Sequence, residues 1–290
     1  GVIDQFVKRG FSIPGFDLLF SGDIPNGAGL SSSASIEVVT AVALDHFLTT
    51  GLIRIELVKI SLAAENEYVG MNCGIMDQFA IGMGKKGAAL ALNCRTLEYQ
   101  HVPVKLGDYA IVIANTNKRR ELAGSKYNER VKECTAALEC LRKAKPMVDL
   151  SAMNLDEFKE HSHLINDEII RKRARHVISE NKRVVLAVDA LLNGDLVTFG
   201  QLMNQSHVSL REDYEVTGFE LDTIVGEAWK VEGVIGARMT GAGFGGCSVN
   251  IVHHEKIEEF ISKVGTNYKN LTGLEPDFYV ATVGSGAGIL

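Results

Sequence analysis

No Cys-x-x-Cys pair occurs among the five cysteines, Cys73, Cys94, Cys134, Cys140 and Cys247, and their number is odd. A disulfide framework and a cysteine-ligated zinc site are both disfavoured, and the expected setting is a reducing cytoplasm. Excess positive charge is missing too: 30 basic residues against 36 acidic give a net charge of -6 with the signs interspersed, so nucleic acid is not the expected partner. No apolar run approaches membrane-spanning length, and no charged, then apolar, then small-residue signal pattern opens the chain, so no membrane association is expected. The sequence starts at Gly1 rather than Met, with Val2, Ile3, Phe6 and Val7 spaced as an amphipathic helix already under way, and is therefore expected to be a cut chain.

What is present is a 290-residue chain, 46% hydrophobic, long enough for two cores. Its organising stretch is Pro25-Asn26-Gly27-Ala28-Gly29-Leu30-Ser31-Ser32-Ser33-Ala34-Ser35. The glycines permit close backbone approach. The serines can cap a helix whose free N–H groups and positive dipole end suit a phosphate. The same residues would also make an ordinary capped turn. No Gly-Lys-Ser/Thr follows, so this is not a P-loop lysine site, and a serine at the helix start is the available magnesium ligand. The run Ile36 to Leu48 is apolar nearly all round and predicts a buried helix, with Phe16 to Phe20 as a strand leading into the loop.

A second helix is predicted from about Ile55 to Val69, ended by Gly70. At ~100° per residue, Leu57, Val58, Ile60, Leu62, Ala64, Tyr68 and Val69 share an arc that includes Glu65. An inward carboxylate needs a cation, a proton or a polar cavity, so Glu65 is either a metal ligand or half of a buried ion pair. Asp77 lies in the first turn of a short helix after Gly70 to Gly74, where the helix dipole alone would favour it and where a catalytic base could also stand.

Ala88 to Leu92 and Leu97 to Val104 read as a hairpin closing a first domain, 1–105; a second domain spans 106–290. In the second, Tyr109 to Ala114 reads as a strand, Ser125 to Arg130 opens a helix, and Arg171 to His176 reads as a solvated helix face. Thr217 is expected to cap a further helix. Gly241, Gly243 and Gly246 satisfy G-x-G-x-x-G, but the β-rich Cys247 to Val252 follows where a dinucleotide site needs a helix. These glycines are expected to lie against something held by the first domain, on its phosphate side.

Four stretches, Gly27 to Ser35, Gly74-Ile75-Met76-Asp77-Gln78-Phe79, Ser125-Lys126-Tyr127 and Thr240 to Cys247, together resemble the galactokinase family of the GHMP small-molecule kinases. The resemblance implies an α+β fold of two domains, the first like ribosomal protein S5 domain 2 and incomplete at its start, the second ferredoxin-like. It implies that Gly27, Ala28, Gly29, Leu30, Ser31, Ser32 and Ser33 bind ATP and that Ser33 and Glu65 hold magnesium. Asp77 would be the base, and Gly74, Asp77 and Tyr127 would meet the sugar. The implied reaction is transfer of the ATP γ-phosphoryl group to the anomeric hydroxyl of α-D-galactose, by a monomer whose partners are these small molecules. A sibling kinase for N-acetylgalactosamine or another sugar, and a kinase-derived galactose and ATP sensor, are the alternatives. The family's Gly-Arg-Val-Asn-Leu-Ile-Gly-Glu-His-Thr-Asp-Tyr-like opening motif has no match here, and the 290 residues alone are expected to be inactive.

Overall fold

The computed structural model describes residues 1–25, 29–71, 73–118 and 123–289, with backbone only at 123–125. Two compact units emerge, one of 1–25, 30–104 and 282–289, the other of residue 29 and 105–281.

The first unit is mainly helical. Helices α1 (Val2–Lys8), α2 (Ser32–Leu48), α3 (Arg54–Ala63) and α4 (Met76–Met83) precede strands β1 (Ala88–Leu92) and β2 (Tyr99–Pro103), which form an antiparallel pair. Val2 and Phe6 of α1, Val38, Ala41 and Leu44 of α2, and Leu57 and Ile60 of α3 make the main core. A smaller cluster of Val58, Ile75 and Phe79 seats α4 on α3. That seat requires Gly82, because a Cβ there would come within 2.3 Å of Val58 Cγ2. The last stretch of chain joins this unit: Ala287 N–H donates to the Ile81 carbonyl and Gly286 N–H to the Gly84 carbonyl. The second domain read from the sequence as running to 290 thus gives up its final residues to the first.

Three expectations for this unit are corrected. Phe16 to Phe20 is irregular rather than a strand, and Leu19 is 95% exposed; among the described residues no strand pairs with it, and an unpaired ladder has nothing to hold its N–H and C=O groups. Helix α2 is not buried all round, since Ile36, Val39 and Phe47 face outward. Tyr68 and Val69 are also exposed, because α3 passes at Ala64–Val69 into a π-helical turn. The wider turn breaks the 100° projection that had put them on the inner arc.

The second unit is an antiparallel sheet of β3 (Tyr109–Asn115), β4 (Val234–Met239), β5 (Cys247–His253) and β6 (Asp277–Ala281) in the order β4-β5-β3-β6. Between β3 and β4 run α5 (Ala123–Leu141), α6 (Leu155–His161), α7 (Glu168–Leu192), α8 (Leu196–Ser209) and α9 (Phe219–Ala228); α10 (Ile257–Thr272) links β5 to β6. With α5 to α9 taken as one helical connection, this is the split β-α-β order of a ferredoxin-like sheet. Val112, Ala114, Ile224, Val225, Phe260 and Val264 form its core.

Arg171 to His176 is not a wholly solvated face. Arg173 and His176 on α7 are buried, at 2% and 6% exposure, because α7 is covered by α5, α8 and a second π turn, Leu210–Tyr214. Thr217 does not cap α9 either: it is buried, and Gly218 occupies the cap position without a side-chain bond.

Candidate active site

The described part of the glycine and serine loop starts at Gly29; Gly27 and Ala28 lie outside the described residues. Gly29 and Ser31 both have positive φ, 71° and 58°, and the turn delivers the chain into α2 at Ser32. Ser31 takes the cap position, but its hydroxyl does not cap, contrary to the sequence reading. The first-turn N–H groups of a helix have no intrahelical partner, so this end of α2 keeps its capacity for an anion. Leu30, Ser31 and Ser32 are half-buried, and Ser33 is exposed.

Ser33 and Glu37 are one turn apart on the same face of α2. Glu65 reaches that face from the π turn: its Oε1 accepts a hydrogen bond from Ser33 Oγ at 3.1 Å. Its Oε2 accepts from Gln78 Nε2 at 2.5 Å, and the same amide nitrogen donates to Glu37 Oε2 at 3.2 Å. Three elements, α2, the π turn and α4, therefore converge on one carboxylate. Burial, together with the nearby negative charge of Glu65, pushes the Glu37 carboxyl up to about 7, although the Gln78 hydrogen bond acts in the other direction. Of the two readings left open for Glu65, no buried ion pair forms among the described residues; a hydroxyl and an amide donate to its carboxylate.

These donors fit a hard divalent cation. A hydroxyl and a carboxylate oxygen stand side by side, and magnesium is commonly held by one or two protein oxygens plus substrate phosphates rather than by a full protein cage. Among the described residues no group of three or more His, Cys, Asp or Glu side chains is placed to hold a metal, so a cation here would need the nucleotide's oxygens as well.

Asp77 is half-buried in the first turn of α4, next in sequence to Gln78. The loop before it is pinned by Asn66 in the π turn, whose Oδ1 accepts from the Cys73 backbone N–H at 3.0 Å and whose Nδ2 donates to the Cys73 carbonyl at 3.3 Å. Burial raises the Cys73 thiol to about 11, aided by Glu65 and then by Glu37 and Asp77, so it stays protonated. Gly74 is exposed in this loop.

The remaining sequence candidates lie in the second unit. Tyr127 is on α5 at 38% exposure. The second glycine loop follows β4, and its close approach is to its own unit. A Cβ on Gly243 would fall 2.1 Å from the Val216 carbonyl oxygen, which accepts from Phe244 N–H at 2.7 Å.

Glu37, Asn66 and Gln78 are the site residues that sequence reasoning missed. For Glu37 a signal was available, one helical turn from Ser33. For Gln78 it was a polar residue between Asp77 and the core residue Phe79. Nothing in the spacing marked Asn66, because the π turn sets its direction.

Residues 1–85 match the family model for the GHMP kinases N terminal domain, and residues 187–270 match GHMP kinases C terminal. The chain is 53% identical over 287 residues to the galactokinase of Clostridium beijerinckii, covering 99% of this chain and 74% of that protein. It is 51% identical over 288 residues to the galactokinase of Bacillus subtilis, again covering 99% of this chain and 74% of that protein. A crystal structure of Lactococcus lactis galactokinase complexed with galactose superposes with a TM-score of 0.96 at 47% identity, covering 100% of this chain and 75% of that one. An L. major mevalonate kinase in complex with R-mevalonate shares the fold, with a TM-score of 0.57 at 20% identity, covering 89% of this chain and 67% of that one.

Proposed function

This chain belongs to the galactokinases, within the GHMP kinases, and from that premise we propose that it transfers the γ-phosphoryl group of ATP to the anomeric hydroxyl of α-D-galactose, yielding galactose 1-phosphate and ADP. The observation that carries the residue assignment is the meeting of Ser33 and Glu65 at the start of the helix that follows the glycine and serine loop. Gly27 to Ser33 bind the triphosphate, through backbone N–H groups and the positive end of α2. Ser33 and Glu65 hold magnesium, which would neutralise phosphate charge during transfer.

Asp77 takes the C1 hydroxyl proton as the sugar oxygen attacks the γ-phosphorus and the bond to the β-γ bridging oxygen breaks. The loop N–H groups then stabilise the negative charge gathering on ADP. Gly74 and Tyr127 complete the sugar contacts. A reducing cytoplasm suits five cysteines that form no disulfide among the described residues. The test is a coupled ADP-release assay over a panel of sugars including N-acetylgalactosamine, on residues 1–290 alone, for which no turnover is expected, and then with the family's opening segment added as a separate chain. Galactose should be the preferred acceptor, and a preference for another sugar would replace the substrate assignment.

A further inference from the structure

Gln78 is almost fully buried, at 1% exposure, yet it carries an amide where the neighbouring packing is apolar, between Asp77 and Phe79 and close to the Val58, Ile75 and Phe79 cluster. Its Nε2 has two hydrogens and spends both on carboxylates: Glu65 Oε2 at 2.5 Å and Glu37 Oε2 at 3.2 Å. Its Oε1 is buried with no hydrogen-bond partner among the described residues. An orphaned buried acceptor costs free energy, so an apolar side chain of the same length would be the better choice for packing alone. The amide is kept where it serves the carboxylates.

Its effect is directional. By holding Oε2 of Glu65, the amide leaves Oε1 as the oxygen turned to Ser33, at 3.1 Å. The Ser33 hydroxyl can donate to either oxygen and so does not itself choose between them, and without the amide two carboxylates from different elements would face each other across the space it now spans. We infer that Gln78 is a positioning residue that fixes the Glu65 carboxylate, through its shared amide contact with Glu65 and Glu37, in the orientation that presents one oxygen beside Ser33 for the nucleotide-bound cation. The inference rests on the reading of Glu65 as a cation ligand. It also ties the cation site to the base, because Gln78 and Asp77 are consecutive on α4.

The experiment uses Mn2+ as the probe, titrated by electron paramagnetic resonance into the ADP complexes of the natural sequence, Gln78→Met and Glu65→Gln. Galactose binding is measured by calorimetry alongside. Gln78→Met keeps the length and removes the donor, so Mn2+ affinity should fall about tenfold, in the range found when a partner of a metal ligand is lost. Galactose affinity should stay within about twofold, since nothing in the proposal touches the sugar. A role confined to packing would lower the unfolding midpoint and leave Mn2+ affinity unchanged, and that result overturns the inference. Where Gln78→Met does not fold, Gln78→Asn retains an amide with a shorter reach. It should weaken Mn2+ binding in the same direction, and normal binding there overturns the inference equally. Glu65→Gln separates the two levels. If it leaves Mn2+ binding intact, the ligand reading fails and the inference with it; if it weakens binding while the Gln78 variants do not, only the positioning role is lost.

Discussion

Ser33 Oγ and Glu65 Oε1 lie 3.1 Å apart although 32 residues separate them in the chain. The hydroxyl comes from the first turn of α2 and the carboxylate from a π turn, so neither is placed by the other's local structure. Glu65→Gln removes a charge that would offset part of the nucleotide's. In the galactose kinase assay, half-maximal activity should need about tenfold more Mg2+, with KM for galactose little changed. Ser33→Ala should shift the requirement the same way. An unchanged Mg2+ dependence in both variants would leave the contact as a structural hydrogen bond.

Asp77→Asn keeps the size and helix position of the side chain but removes its basicity. Turnover should drop by ~10² to 10⁴-fold, the usual contribution of a general base, while galactose still binds and the unfolding midpoint stays close to that of the natural sequence. Near-normal turnover in the folded variant would reduce Asp77 to a residue suited to a helix start by the dipole alone.

The regular elements with local signals were the easiest to read in the sequence. Helical periodicity after Ser31, the stop at Gly70 and the hairpin around Asn93 to Thr96 are local signals, and each element formed near its expected bounds. What was not legible depended on non-local or irregular structure. A strand at Phe16 to Phe20 needs a partner, which local composition does not supply. The exposure of Tyr68 and Val69 follows from a π turn whose cause lies in packing rather than in any residue type. Within the site, Glu65 was found because a charge broke an apolar arc. Gln78 is neutral, and a polar residue beside the core residue Phe79 is a weaker signal than a charge within an apolar arc.

Two groups give the stability opposite pH slopes. Glu37 is raised by burial and by Glu65 from an ordinary carboxylate value to about 7, so the folded state holds its proton more tightly than the unfolded chain. Its contribution is fully present below about pH 4.5 and is lost as pH rises towards 7. Allowing for its half-exposed position, the effect should be about 1 to 2 kcal/mol. His176 is lowered by burial to about 4, so the unfolded chain takes up the proton first. Its contribution of up to about 3 kcal/mol is present above pH 6.5 and is lost as pH falls towards 4. Over the shared window of about pH 4.5 to 6.5 the two slopes oppose each other, so stability measured by urea unfolding should rise more steeply with pH in Glu37→Gln and less steeply in His176→Gln than in the natural sequence. Parallel curves for variant and natural sequence would contradict the assignment of that slope.

Arg173 provides the sharpest test of the second unit, because an arginine in a run of basic residues would ordinarily be replaceable. It donates to Glu133 Oε2 at 2.8 Å, to the Asp213 carbonyl at 2.7 Å and to Glu215 Oε2 at 2.8 Å, and it is 2% exposed. Arg130 joins the same carboxylate of Glu133 and donates to the Tyr214 carbonyl. The two guanidinium groups thus hold the turn 213–215, and the next carbonyl, that of Val216, receives Phe244 N–H from the second glycine loop. Arg173→Leu fills much of the volume but leaves Glu133 with one cation instead of two and the Asp213 carbonyl without its donor. Losing one member of a buried charged network typically costs 3–5 kcal/mol; with Glu215 partly in water, a loss of about 3 kcal/mol is expected. Lys172→Ala, one residue away and facing outward to a 3.7 Å contact with Glu215, should cost less than about 0.5 kcal/mol. Chemical denaturation of the two variants side by side decides the matter. Equal midpoints would mean that the turn is held by its own π-helical hydrogen bonds and that the arginine is incidental to the placement of the glycine loop.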